Sequence, residues 1–157
     1  MPPRQSVLPL TYRFLFLIAE PLAALACAYH AHFRQDAYLQ GITTSSSQQG
    51  VGPATSAALS QLAAQYLLAA LAEALVLRST GDLAVWRTLI AALLAADFAR
   101  LYALVGAGGW DIYWDARAWD GVGWACVPLV YVCVAARVAF LAGVGFRAGS
   151  AKAKAKA

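Results

Sequence analysis

The chain has 157 residues, 61% hydrophobic and 13% charged, with a formal net charge of +4 and a mean hydropathy of +0.59. A soluble domain holds about 45–50% apolar residues and about a quarter charged, and one this small still exposes much of its surface. The composition therefore excludes an ordinary soluble domain, a disordered chain and a coiled coil, and points to a bilayer.

Four apolar stretches reach the roughly 20 residues that a membrane crossing needs: about 10–31, 57–77, 84–105 and 122–146. None shows the alternation of a barrel strand. The sequence predicts an all-α, four-helix transmembrane bundle, a single domain over residues 1–150 followed by a disordered basic tail at 151–157, AKAKAKA. Residues 41–56, GITTSSSQQGVGPATS, are uncharged and read as a flexible loop between spans one and two. RSTGDL at 78–83 reads as a tight polar turn, with Ser79 or Thr80 in turn chemistry and Asp82 capping the third helix. The third loop, 106–124, carries four tryptophans, Tyr113 and three aspartates; it reads as an interfacial aromatic belt or a lid lying on the membrane.

Orientation follows from Lys and Arg. With four spans, one side carries Arg4, Arg13, Arg78, Arg87, Arg147, Lys152, Lys154 and Lys156, and the other only Arg34 and Arg117. The positive-inside rule places both termini in the cytoplasm. The alternative for span one is a cleavable signal peptide, with Ala26-Cys27-Ala28 as a small-residue site. Glu20-Pro21 interrupts its apolar run, and the run is long enough to cross, so the spanning reading is preferred.

Function classes fall away in turn. There is no asparagine, hence no N-glycosylation acceptor. Cys27, Cys126 and Cys133 lie in apolar runs without C-x-x-C spacing, which suits buried small hydrophobes and neither a disulfide framework nor zinc. His30 and His32 are two apart, on different helix faces, with no third ligand evident; they read as interfacial polar residues, and no metal site is expected. Phosphate-loop, nucleophile-elbow, zinc-protease and dinucleotide motifs are absent. No cofactor is expected, and the basic charge suits anionic lipid headgroups, with no call for nucleic acid.

The informative residues are charges inside the spans: Glu20, Glu73, Asp97, Arg100 and Arg137. On insertion scales each costs about 2.5–3.5 kcal/mol at a helix centre, so they are expected to face one another, a water-filled cavity or a ligand. At about 1.5 Å per residue, Glu20 lies about 15 Å and Arg137 about 13 Å from the cytoplasmic side, level enough to pair. Asp97, about 20 Å deep, neighbours Arg100 at i+3. Glu73, only about 6 Å deep, is expected to bond Arg78 or reach the cytoplasmic interface. Three acids against two bases leave one negative charge in excess, which a proton on one carboxyl would remove. A neutral carboxyl beside an ionised one suits proton transfer; the same set also suits a purely structural network that fixes helix register. Ala135, Ala139 and Gly143 form a small-residue stripe on span four, and Ala19, Ala23 and Cys27 another on span one.

YRFLFLIAEPLAALACAYHAHF at 12–33, YLLAALAEALVLRSTGDLAVWRTLIAALLAADFARLY at 66–102 and VAARVAFLAGVGF at 134–146 resemble a family of small fungal four-span membrane proteins of unknown function. The resemblance implies Glu20, Pro21, Glu73, Arg78, Asp82, Trp86, Arg87, Asp97 and Arg137 as motif residues. In architecture alone the layout is also similar to the sterol-isomerase and sigma-2-receptor superfamily of the endoplasmic reticulum, which implies a sterol- or amine-like ligand and an endomembrane location.

The expected function is an intramembrane polar pocket for a lipophilic sterol- or terpenoid-like molecule. Glu20, Asp97 and Glu73 are the candidate acid/base residues, and Arg137, Arg100, Tyr66 and Tyr131 the candidate ligand contacts. Any chemistry would be isomerisation or cyclisation, with aromatic rings stabilising cationic character. The alternative is a non-catalytic accessory protein that docks another membrane protein, or a second copy of itself, through its small-residue faces.

Overall fold

The computed structural model describes residues 8–42, 51–108 and 121–146. The third-loop residues 109–120 and the tail at 151–157 lie outside that set, as does the side chain of Cys126. The described residues are helical without strands. Five helices follow in order: α1 Leu10–Phe33, α2 Gln35–Ile42, α3 Pro53–Ser79, α4 Leu83–Gly108 and α5 Gly121–Leu141. Of these, α1 and α3 are long and apolar enough to cross a membrane. In α4 the apolar run is broken by Arg87, Asp97 and Arg100, and the shorter apolar helix Pro128–Leu141 lies in α5.

Three boundaries differ from the sequence reading, each for a local reason. The last span was expected to reach Phe146, but α5 stops at Leu141. Gly143 adopts φ +78° there, a left-handed conformation that glycine takes without steric penalty and that commonly ends helices. The Val144 amide then donates to the Ala139 carbonyl at 2.9 Å, and the Gly143 amide to that of Phe140 at 3.0 Å. Gly143 consequently leaves the expected Ala135/Ala139/Gly143 helical stripe. At the other connection, α2 was not anticipated. It follows α1 after Arg34, whose backbone leaves the helical region at φ −129°, ψ 50°, and it lies against α5. Finally, α3 starts at Pro53 within the expected 41–56 loop, with the proline in its first turn, where a missing N–H costs nothing.

The turn between α3 and α4 uses the predicted residues. Asp82 Oδ1 accepts from the Ala84 amide at 2.8 Å, the N-cap bond that satisfies an otherwise orphaned donor. Thr80 Oγ1 accepts from the Asp82 amide at 3.0 Å.

Two helices loosen at matching places. Leu15–Ala19 in α1 and Ala72–Val76 in α3 are π-helical, and these two segments touch. The first runs into Glu20-Pro21. Pro21 has no N–H for the carbonyl four residues earlier, that of Leu17. Arg78 fills the gap from α3, its Nη2 donating to the Leu17 carbonyl at 3.3 Å.

An aromatic layer closes one end of the bundle. Phe16, Leu77, Trp86, Ile90 and Phe140 are fully buried there, with Tyr12 and Phe146 packed on them. Phe16 and Phe140 meet edge-to-face at 5.4 Å, and Tyr12 meets Phe140 likewise at 5.2 Å, an arrangement worth about 0.5–1.5 kcal/mol per pair beyond burial. Trp86 Nε1 donates to the Thr80 carbonyl at 3.0 Å, so its polar end is satisfied. At the other end Ala31, Tyr38, Leu59 and Ala63 form a smaller core between α1, α2 and α3.

Candidate functional site

Between the two apolar cores sits a layer of charge. Glu20, Glu73, Asp97 and Arg137 are all buried, Glu73 to 1% exposure and Arg137 to 6%. They come one each from α1, α3, α4 and α5, so the four long helices meet on one guanidinium. Arg137 Nη2 donates to Glu20 Oε2 and to Glu73 Oε1, both at 2.7 Å, and its Nη1 donates to Asp97 Oδ2. The other Asp97 oxygen accepts from Arg100, so Asp97 bridges two arginines. Arginine suits this hub because its planar fork offers five donors and keeps its charge when buried.

The π-helical segments explain how two glutamates reach one nitrogen. Glu73 lies inside the one in α3, and Glu20 directly follows the one in α1. Each such turn adds a residue to the helical circuit and shifts the face that follows, and such turns are common at functional sites. The depth estimate for Glu73 is corrected accordingly. It does not bond Arg78, which caps Leu17 instead, but shares Arg137 with Glu20.

The polar layer continues toward the second core. The Arg100 guanidinium carbon lies 4.9 Å from the centroid of the Tyr66 ring, a cation–π contact. The Tyr66 hydroxyl is 3.0 Å from that of Tyr38. Burial, reinforced by Tyr66, holds the Tyr38 hydroxyl well above the ordinary tyrosine range, so it stays a neutral hydrogen-bonding group at any working pH. Tyr38 was missed by sequence reasoning because it sits on α2, inside a segment with no apolar run of spanning length.

Of the seven candidates, then, six are brought together: Glu20, Glu73, Asp97, Arg137, Arg100 and Tyr66. Tyr131 is 41% exposed on α5; six residues before Arg137, it projects about 120° away around the helix. Cys133, one turn from Arg137, is partly buried and in electrostatic reach of Glu20 and Arg137. His32 Nδ1 lies 3.1 Å from Ser60 Oγ, and no group of three metal-ligating side chains occurs among the described residues.

Chemically, the layer offers two guanidiniums and three carboxylates in contact, a formal excess of one negative charge. Two of the carboxylates share a single nitrogen, Arg137 Nη2, which has two N–H donors. No curated protein and no solved structure matches the chain. The model of a domain of unknown function, DUF7704, matches residues 5–147. The chain belongs to the DUF7704 family.

Proposed function

We propose that the chain is a four-span integral membrane protein of the endomembrane system, both termini cytoplasmic, whose buried charge layer binds a lipophilic sterol- or terpenoid-like molecule and performs acid/base chemistry on it. The observation that carries this reading is the convergence of Glu20, Glu73 and Asp97 on Arg137. In this reading one proton is held among the three carboxyls and balances the charge, one carboxyl donating while a neighbour accepts.

The distribution of side chains supports the membrane setting. Leu10, Phe14, Leu22, Phe33, Leu68 and Leu75 are each more than half exposed, while the charges are inside. A soluble protein inverts that order; a bilayer rewards it, because ionisable groups within a span face the bundle interior and mark functional sites. The fungal placement follows the family resemblance of residues 12–33, 66–102 and 134–146, and the endomembrane placement follows the architectural similarity to the sterol-isomerase and sigma-2-receptor superfamily.

Two experiments test the reading. Cysteines introduced as Ser46→Cys and Asp115→Cys, in a chain freed of native cysteines, are labelled by an impermeant maleimide only from the side opposite the termini. Glu20→Gln and Asp97→Asn insert normally yet lose ligand binding or turnover; full function in both would end the acid/base reading. The accessory-protein reading is favoured instead if Ala139→Leu alone destroys function.

A further inference from the structure

The Glu20–Arg137 contact is half of a fork. A guanidinium and a carboxylate usually meet through two parallel hydrogen bonds. Here Nη2 closes one arm on Oε2 at 2.7 Å, whereas Arg137 Nε and Glu20 Oε1 are buried and have no hydrogen-bond partner among the described residues. The Cys133 thiol is within side-chain hydrogen-bonding reach of the Glu20 carboxyl but leaves Oε1 itself without a partner. Both residues are more than nine-tenths buried, and each orphaned polar atom in such a place costs about 1–3 kcal/mol. One orphan is a donor and the other an acceptor, on two groups already tied together.

That pairing selects the chemistry of what completes it. An ammonium has donors only and leaves the Nε–H unmatched; an ether or carbonyl has acceptors only and leaves Oε1 unmatched. A hydroxyl does both with one atom, accepting from Nε–H and donating to Oε1. We propose that the open arm of the Glu20–Arg137 fork binds the hydroxyl of a lipophilic alcohol. This deepens the ligand-binding reading above and rests on it. The acid that holds the hydroxyl is then placed at the carbon–oxygen end of the ligand, with Glu73 beside it on the same Arg137 nitrogen.

The test compares three probes with one hydrocarbon chain: farnesol, farnesyl methyl ether and farnesylamine, titrated onto the full chain in phosphatidylcholine nanodiscs and followed by tryptophan fluorescence. Farnesol is expected to bind at least about tenfold more tightly than the other two, since a site built around a hydroxyl discriminates strongly against analogues lacking it. Glu20→Gln is expected to shrink that preference to within about twofold, while Leu68→Ala, at an exposed position of α3, leaves it unchanged. The wild-type comparison stands alone if Glu20→Gln fails to fold. Equal binding of all three probes overturns the hydroxyl assignment but leaves the lipophilic-ligand reading intact, and points to water as the bridge. Binding of none of them to folded protein overturns both.

Discussion

The aromatic layer and the charge layer are built on the same helices one turn apart, and they are held together by opposite means. Phe16 lies four residues before Glu20, Leu77 four after Glu73 and Phe140 three after Arg137. In the aromatic layer every buried group is apolar or, like Trp86 Nε1, satisfied. In the charge layer two ionic groups keep atoms without a partner among the described residues, and the helices carrying Glu20 and Glu73 depart from α-helical hydrogen bonding. Burying ions costs several kcal/mol each before any attraction returns it, and apolar replacements often do as well or better. A bundle that already packs through aromatic rings has no structural need for that cost, which is the argument for a functional charge layer.

The comparison can be broken most forcefully at its hub. Arg137→Met leaves three carboxyls buried without their shared partner and is expected to destabilise by about 3–5 kcal/mol or to prevent accumulation, read by thermal unfolding in mild detergent. Phe140→Ala, one turn away, is expected to cost about 3 kcal/mol through the cavity it leaves, yet to keep farnesol affinity within about twofold in the protein that remains folded. Equal loss of binding in both variants would erase the distinction between the layers. Tyr38→Phe removes one hydrogen bond and is expected to cost about 1 kcal/mol. Absorbance titration sharpens its role: the Tyr38 signal stays silent as the pH is raised through the range where exposed tyrosines ionise, and appears only above it. The smallest effect is expected at Asp82→Ala, about 0.5–1 kcal/mol from the lost cap, with binding unchanged.

The two layers also differ in how far they can be read from sequence. The charges announce themselves, since an ion in an apolar run demands a partner. Counting along spans placed Glu20 and Arg137 level, and the spacing placed Asp97 beside Arg100; the structure joins both pairs. That Glu73 joins the same guanidinium was not legible, because π-helical turns change a helix face without any residue code of their own, Pro21 being the nearest signal. The aromatic layer was not legible either. Phe16, Trp86 and Phe140 look like any apolar residue in a span, and these alanine-rich helices lack a sharp apolar face to fix their rotation. The early end of α5 had a sequence signal, Gly143 and Gly145, that the apolar run around them concealed.

The central claim is that the charge layer exists for a ligand and not for the fold. It is tested most directly by replacing the four buried charges at once, Glu20→Met, Glu73→Met, Asp97→Leu and Arg137→Met, and measuring unfolding and farnesol binding on the same preparation. The expected result is a folded protein at least as stable as the parent, by up to about 1–4 kcal/mol, that has lost farnesol binding. A quadruple variant that is as unstable as Arg137→Met, or one that folds and still binds farnesol as the parent does, would contradict it.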